Sequence, residues 1–301
     1  MTAEIVNKIN EYKKQKSAVI LVHNYQLPEI QDVADYVGDS LGLSIEASKT
    51  KAKMIVFCGV HFMAETAAII CPDKKVIVPD VNAGCPMADM INVEGVKKLK
   101  AEHPGHIVVA YINTTAEVKA ESDYCCTSAN AVKVVEKLMD KDIIFIPDKY
   151  LGDYVSKQTG KKMVLFNGYC PIHVMILPEH VKGAKQEHPN AVVIVHPECL
   201  PEVKALADNV LSTGGMIKYA KGSPAQEFII GTETGIIYRL QKENPSKKFY
   251  PANPLAICRN MKKTTIDKLL NSLENEETRV TVPKDIASRA KLSIDRMLRL
   301  V

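Results

Sequence analysis

The chain has no tryptophan, and aromatic residues fill only 6% of its 301 positions. No basic stripe is interleaved with the aromatics that are present, so the footprint of a nucleic-acid binder is missing. An excess of charge of one sign is missing too: the formal net charge is +4, and acidic and basic residues are interspersed. That slight positive balance is compatible with anionic small substrates. No apolar run approaches the roughly 20 residues a membrane helix needs. The opening stretch MTAEIVNKINEYKKQK has helical apolar spacing at Ile5, Ile9 and Tyr12 but not the apolar segment of a signal peptide. A cytoplasmic protein without membrane or nucleic-acid partners is therefore expected. The eight cysteines include no C-x-x-C pair. Without a secretory signal they point to reduced thiols, metal ligands or buried packing rather than disulfides.

What the chain does have is an internal repeat. Anchoring it on itself at Asp35, Asp123 and Asp208 aligns three stretches without a gap. His23, Tyr111 and His196 then stand 12 residues before the aspartate, and Tyr25, Asn113 and Glu198 stand 10 before it. Ser40, Ser128 and Thr213 stand 5 after it. Glu-His-Pro recurs at Glu102 and Glu187, 85 residues apart. Ordinary strand–helix alternation does not place polar residues at matching offsets, so the chain reads as a threefold duplication. Unit one covers 1–88, unit two 89–173 and unit three 174–263. The tail, 264–301, has no counterpart and is expected to pack back on unit one.

Each unit reads as a polar helix, a β-branched strand, a polar loop, a short helix, a loop running from the Asp to the Ser or Thr, a further helix, a second strand, another helix and a third strand. Strands alternating with helices imply an α/β fold with parallel sheets covered on both faces. The expected architecture is three homologous αβα units about a pseudo-threefold axis. Sites in such sheets lie beyond the carboxyl ends of the strands, so the active site is expected at the centre.

The motifs NAGCP, NGYCP and LAICR put Cys85, Cys170 and Cys258 just after the third strand of each unit, at spacings of 85 and 88 residues. Three soft ligands offered to one point suit an iron–sulfur cluster with one iron left open. Two alternatives stand beside that reading. The cysteines are small buried hydrophobes, or they form a structural zinc site with His173 as the fourth ligand. Recurrence at one place per unit favours the metal-binding reading. Cys58, Cys71, Cys125, Cys126 and Cys199 are out of register and read as packing. His23, Tyr25, Tyr111, Asn113, His196 and Glu198 fall at the mouth of the sheets and include imidazole, phenol and carboxylate groups suited to proton transfer. Ser40, Ser128 and Thr213 each open a helix, as ordinary N-caps or as holders of an anion at the helix N-terminus. Ser212, in STGG, fits the second role because glycines let the backbone approach a ligand.

In chain order, HNYQLPEIQDVADYVGDSL, VPDVNAGCPMAD, TSANAV, NGYCPIHV, VHPEC, STGGM, GTETG and CRNMKK resemble the quinolinate synthase family. The resemblance covers essentially the whole chain. It implies three homologous αβα domains around a 4Fe–4S cluster held by one cysteine from each, here Cys85, Cys170 and Cys258. It implies condensation of iminoaspartate with dihydroxyacetone phosphate to quinolinate, with loss of phosphate and water, for NAD biosynthesis. A functional link to an iminoaspartate-producing enzyme is part of the same expectation. Catalytic roles carry over to Tyr25, Tyr111, His196 and Glu198, and substrate-binding roles to His23, Ser40, Asn113, Ser128, His173, Ser212 and Thr213. One branch of the family has closely spaced extra cysteines near the third ligand. Here Arg259, Asn260 and Met261 follow Cys258, so no redox disulfide is expected there. Cys125, beside Cys126, is an additional thiol with no assigned role. Two rival readings differ in what they require. A diphthamide-type radical enzyme shares the architecture but needs a site for S-adenosylmethionine and a protein substrate, and lacks HNYQ and STG as found here. A non-enzymatic iron–sulfur carrier closes its cluster with four cysteines and needs no polar mouth.

Overall fold

The computed structural model describes residues 3–300. Unit one runs α1 (Ala3–Gln15), β1 (Ala18–His23), α2 (Pro28–Asp32), β2 (Tyr36–Gly38), α3 (Ser40–Lys49), β3 (Met54–Cys58), α4 (His61–Ile70) and β4 (Lys75–Ile77). Unit two runs α5 (Val93–Glu102), β5 (Ile107–Tyr111), α6 (Ala116–Ala120), β6 (Tyr124–Cys126), α7 (Ala131–Glu136), β7 (Ile143–Ile146), α8 (Lys149–Thr159) and β8 (Val164–Leu165). After the short α9 (Pro171–Val174), unit three runs α10 (Pro178–Glu187), β9 (Val192–Val195), α11 (Pro201–Lys204), β10 (Asn209–Val210), α12 (Thr213–Gly222), β11 (Glu227–Gly231), α13 (Ile236–Glu243) and β12 (Lys248–Pro251). The tail forms α14 (Ile266–Asn275) and α15 (Lys284–Leu298).

Each unit makes one parallel four-stranded sheet, in the orders β2-β1-β3-β4, β6-β5-β7-β8 and β10-β9-β11-β12. The expected parallel α/β architecture is what forms. The central strands are apolar β-branched runs such as AVILVH and IIFI, and all of Met54–Cys58 and Ile143–Ile146 is buried. Helices on both faces remove the need for a polar side, so these strands do not alternate.

Three strands per unit is corrected to four. The additional strands β2, β6 and β10 lie in the stretch read as a loop, and are too short, at two or three residues, to show a period. The anchoring aspartates explain them. Asp35 Oδ2 accepts the Ile20 N–H, Asp123 Oδ2 the Val108 N–H, and Asp208 Oδ2 the Val193 N–H, each at 2.8 Å. The backbone N–H of each aspartate returns a bond to the carbonyl of the same strand residue, at 3.0, 2.9 and 2.9 Å. The repeat's most regular residue thus pins a short edge strand to its central strand.

The tail divides. α14 lies on α1 and β3 of unit one, but α15 packs on α6 and β6 of unit two as well as on α4. Its buried stripe of Ala290, Ser293, Ile294 and Met297 faces that joint. Arg289 pairs with Glu121 at 2.6 Å, and Arg296 donates to the Asp123 carbonyl at 2.6 Å. Besides the expected contact of 264–301 with unit one, α15 thus bridges to unit two. Cys125 finds its place here, fully buried with its sulfur 3.4 Å from Ser293 Oγ. Among the described residues no helix is long and apolar enough to cross a membrane.

Candidate active site

The first strands of units one and three deliver their polar residues with the same local hydrogen bond. Beyond β1 the N–H of Tyr25 donates to His23 Nδ1 at 3.2 Å, and beyond β9 the N–H of Glu198 donates to His196 Nδ1 at 3.4 Å. The edge strand then leads into the next helix. Asp39 caps α3 by accepting the Gly42 N–H at 2.8 Å, and Ser212 caps α12 by accepting the Gly215 N–H at 3.1 Å. Thr127 holds the corresponding turn in unit two, accepting from Ala129 N–H at 3.2 Å. Reading Ser40, Ser128 and Thr213 as caps is thus corrected. In units one and three the preceding residue does the capping, and in unit two Ser128 lies in the turn before α7, whose cap position is Asn130; all three hydroxyl residues line the cavity.

A cavity of about 640 Å³ lies between the units. Every candidate residue named from the sequence lines it except Ser212, which stays at the cap of α12, 3.5 Å from Asp39 Oδ2. The elements of all three units contribute. Tyr111 O–H donates to Glu198 Oε1 at 2.5 Å, and His196 Nε2 lies 3.2 Å from Ser128 Oγ, both from unit two to unit three. Tyr25 O–H meets Thr232 Oγ1 at 2.5 Å, and Asn24 donates to Thr213 Oγ1 at 3.0 Å, both from unit one to unit three. The His173 and His196 rings stack with centroids 4.5 Å apart. Asn113 lines the cavity, and its Oδ1 is buried without a protein donor.

The electrostatics follow from enclosure. Burial holds His23 and His196 down at about 3, so both imidazoles are neutral at pH 7. Tyr25 and Tyr111 are pushed well above the usual phenol value by burial and then by the Glu198 charge. Burial alone would raise Glu198. Attraction to the adjacent His173 and the hydrogen bond from Tyr111 outweigh it and hold the carboxyl below the usual carboxylate range. His173 Nδ1 stands 2.8 Å from Glu198 Oε2 but outside good hydrogen-bond alignment, so that contact is electrostatic more than directional. The result is a buried carboxylate beside the Tyr111 phenol, with His23 and His196 held neutral nearby.

The cysteines sort by exposure. Cys58, Cys71, Cys125, Cys126 and Cys199 are buried, whereas Cys85, Cys170 and Cys258 are partly exposed and line the cavity. Each of the three begins a short helical turn: residues 88–90 follow Cys85, α9 follows Cys170, and residues 261–263 follow Cys258. Burial pushes Cys85 up to about 12 and raises Cys170 and Cys258, and the thiols push on one another. Backbone N–H groups of these turns oppose that shift: Ala88 and Met87 at Cys85, His173 at Cys170, Met261 and Asn260 at Cys258. A sulfur that receives N–H groups is prepared to be a thiolate, as a metal ligand must be. Three such sulfurs from equivalent turns fit a cluster bound through three cysteines. A second donor set shares the cavity: Cys170, His173 and Glu198 place one ligand atom each within 4.8 Å of the others. Its members already have partners, because His173 Nε2 bonds Thr232 Oγ1 at 2.8 Å and Glu198 bonds Tyr111.

Two buried carboxylates escaped notice in the sequence. Asp148 Oδ2 accepts the N–H of Cys170 at 3.2 Å, and Glu233 Oε1 accepts the N–H of Cys258 at 3.0 Å. Glu233 also pairs with Lys262 at 2.8 Å. Their signal was available, since both stand 25 residues past the anchoring aspartate (148 − 123 and 233 − 208). Unit one has Val60 at that offset, which hid the pattern.

A family model described as quinolinate synthetase A protein matches residues 7–299. The chain is 57% identical over 297 residues to the quinolinate synthase of Dehalococcoides mccartyi (strain CBDB1), covering 99% of this chain and 98% of that protein. It is 53% identical to that of Methanosarcina barkeri, over 98% of this chain and 97% of the relative. Against the quinolinate synthase of Geobacter metallireducens the identity is 52%, with the same two shares.

Proposed function

The chain belongs to the quinolinate synthetase A protein family, and from that premise we propose that it condenses iminoaspartate with dihydroxyacetone phosphate to quinolinate. Phosphate leaves, and atom balance then requires loss of two waters. The product feeds NAD biosynthesis. Cys85, Cys170 and Cys258 would hold a 4Fe–4S cluster. With three protein ligands, its fourth iron supplies Lewis acidity toward a hydroxyl or carboxylate oxygen.

The chain's own residues do the rest. The Ser40 and Thr213 hydroxyls, at helix starts with free N–H groups, and the Ser128 hydroxyl, in the turn before α7, hold the phosphate and carboxylates. Asn113 Oδ1 accepts from a substrate N–H or O–H. Glu198, the ionised group, takes a proton at Oε1 from the condensing substrate, and Tyr111, already bonded to that atom, passes one back during dehydration. His23 and His196, held neutral, orient ligands without competing for the charge. Tyr25 supplies a second phenol, beside Thr232 and His173. Leu255, Ile257 and Met175 at the rim limit water. We place the reaction in the cytoplasm. Because an imine hydrolyses in water, an enzyme that oxidises an amino acid to its imine is the expected supplier.

The observation that carries this reading is the cavity itself: the only cysteines that are not buried reach it from the third-strand turns of all three units, beside the buried Glu198 carboxylate. The test is anaerobic purification from iron-replete cells. Iron and sulfide should approach four each per chain, and quinolinate should form from the two substrates. Cys85→Ala, Cys170→Ala and Cys258→Ala should lose cluster and activity, whereas Cys58→Ala, Cys71→Ala and Cys199→Ala keep both. Stoichiometric zinc in place of iron would favour the Cys170, His173 and Glu198 set and sink the cluster assignment.

A further inference from the structure

One repeated position carries polar side chains, two buried and one half-buried, that the proposed chemistry does not use. Four residues before the anchoring aspartates stand Gln31 (35 − 31), Lys119 (123 − 119) and Lys204 (208 − 204). Each donates to a carbonyl of its own unit's site loop. Gln31 Nε2 donates to Gln26 O at 2.9 Å and Asn24 O at 3.3 Å. Lys119 Nζ, fully buried, donates to Thr114 O, next to Asn113. Lys204 Nζ donates to Pro197 O at 2.9 Å, between His196 and Glu198.

Each also reaches across to a neighbouring unit, at the residue 27 past that unit's aspartate. Gln31 donates to Gly235 O (208 + 27) at 3.1 Å. Lys204 donates to Tyr150 O (123 + 27) at 2.6 Å. Lys119 sits over the ring of Phe62 (35 + 27), 5.4 Å from its centroid. The contacts close a ring: unit one on three, three on two, two on one.

We propose that Gln31, Lys119 and Lys204 are positioning residues, each fixing a site loop of one unit against its neighbour and so setting the distance between reacting groups that different units contribute. Lys204 makes the case most directly. The groups that meet across its joint are Tyr111 and Glu198, at 2.5 Å, and Ser128 and His196, at 3.2 Å. One ammonium holds the loop that carries His196 and Glu198 and, at Tyr150, the unit that carries Tyr111 and Ser128. Interface packing alone would be served by an apolar side chain. Drawing an amine even half out of water is costly unless its donors are matched, as they are here by the Tyr150 and Pro197 carbonyls. The same offset carries glutamine in unit one, so a donor is what the position requires, not a positive charge. The catalytic consequence rests on the proposed roles of Tyr111 and Glu198.

The test compares Lys204→Met with Lys204→Gln in the cluster-loaded full chain. Two readouts are taken: steady-state kinetics, and hydrogen exchange of peptides covering 196–200. Loosening a joint by about 1 Å costs on the order of 100-fold in rate. Lys204→Met should therefore lower kcat about 10- to 100-fold, leave KM for dihydroxyacetone phosphate within about 3-fold, and speed exchange in 196–200. Lys204→Gln should stay within about 3-fold of wild type, because an amide does the same at Gln31. Unchanged kcat and exchange in Lys204→Met would overturn the proposal, as would a glutamine variant as impaired as the methionine one. Should Lys204→Met not fold, Gln31→Leu tests the same claim at another joint: exchange should speed in 24–26 and not in 196–200, and any other pattern refutes it. Failure of the wild type to make quinolinate would remove the functional reading, and the exchange data would still decide the positioning claim.

Discussion

Replacing Glu198 by glutamine keeps the shape of the side chain and removes its charge. The carboxylate is 2% exposed and accepts from Tyr111 at 2.5 Å, with His173 Nδ1 at 2.8 Å. A hydrogen bond to a buried charged group is worth about 1.5–3 kcal/mol. At about 1.4 kcal/mol per decade, lost orientation alone accounts for roughly 10- to 150-fold in rate. Loss of a general acid or base contributes about 100- to 10,000-fold. The two overlap, since the same atom does both, so kcat is expected to fall at least ~100-fold. Iron and sulfide content should not change, because Cys85, Cys170 and Cys258 are untouched. The assay is anaerobic turnover of cluster-replete variant and wild type across a pH series. Tyr111→Phe and the double variant complete a cycle, in which the second substitution should cost little once the first is made. Near-wild-type turnover of Glu198→Gln with an unchanged pH profile would reduce Glu198 to a structural acceptor.

Stability should depend on pH through the two enclosed histidines. With folded values of about 3 against an ordinary 6.5, the unfolded chain binds more protons between those limits. Stability is then complete above about pH 6.5 and falls as pH drops toward 3. Urea midpoints at pH 7.5, 6 and 5 should decline, and the His23→Asn, His196→Asn double variant should flatten that decline; an unaltered slope refutes it. Glu233→Leu strips Lys262 of its buried partner and should cost about 3–5 kcal/mol in urea unfolding. Adding Lys262→Met should restore part of that loss, and wild-type stability of Glu233→Leu would show the pair to be inert.

The apolar β-branched runs and their helical spacers determine the α/β architecture, because burial on both faces of a parallel sheet leaves its mark in every central strand. The register of Asp35, Asp123 and Asp208 reveals the repeat for a reason that is also local: each aspartate bonds a backbone N–H only 15 residues away. The three cysteines are legible as a set because each follows the last strand of its unit, at 50, 47 and 50 residues past the aspartate (85 − 35, 170 − 123 and 258 − 208). The partners of the site residues are not. Tyr111 meets Glu198 across 87 residues, and Asn24 meets Thr213 across 189. Lys204 sits on a four-residue helix whose sequence reads like any solvated turn, and α15 looks like a tail until its Ser293 bonds the Lys119 carbonyl at 2.9 Å. A sequence names donors and acceptors. Which of them meet, and which histidine loses its proton through enclosure, was decided only when three separately folded sheets closed on one cavity, because desolvation and inter-unit hydrogen bonds exist only after that packing.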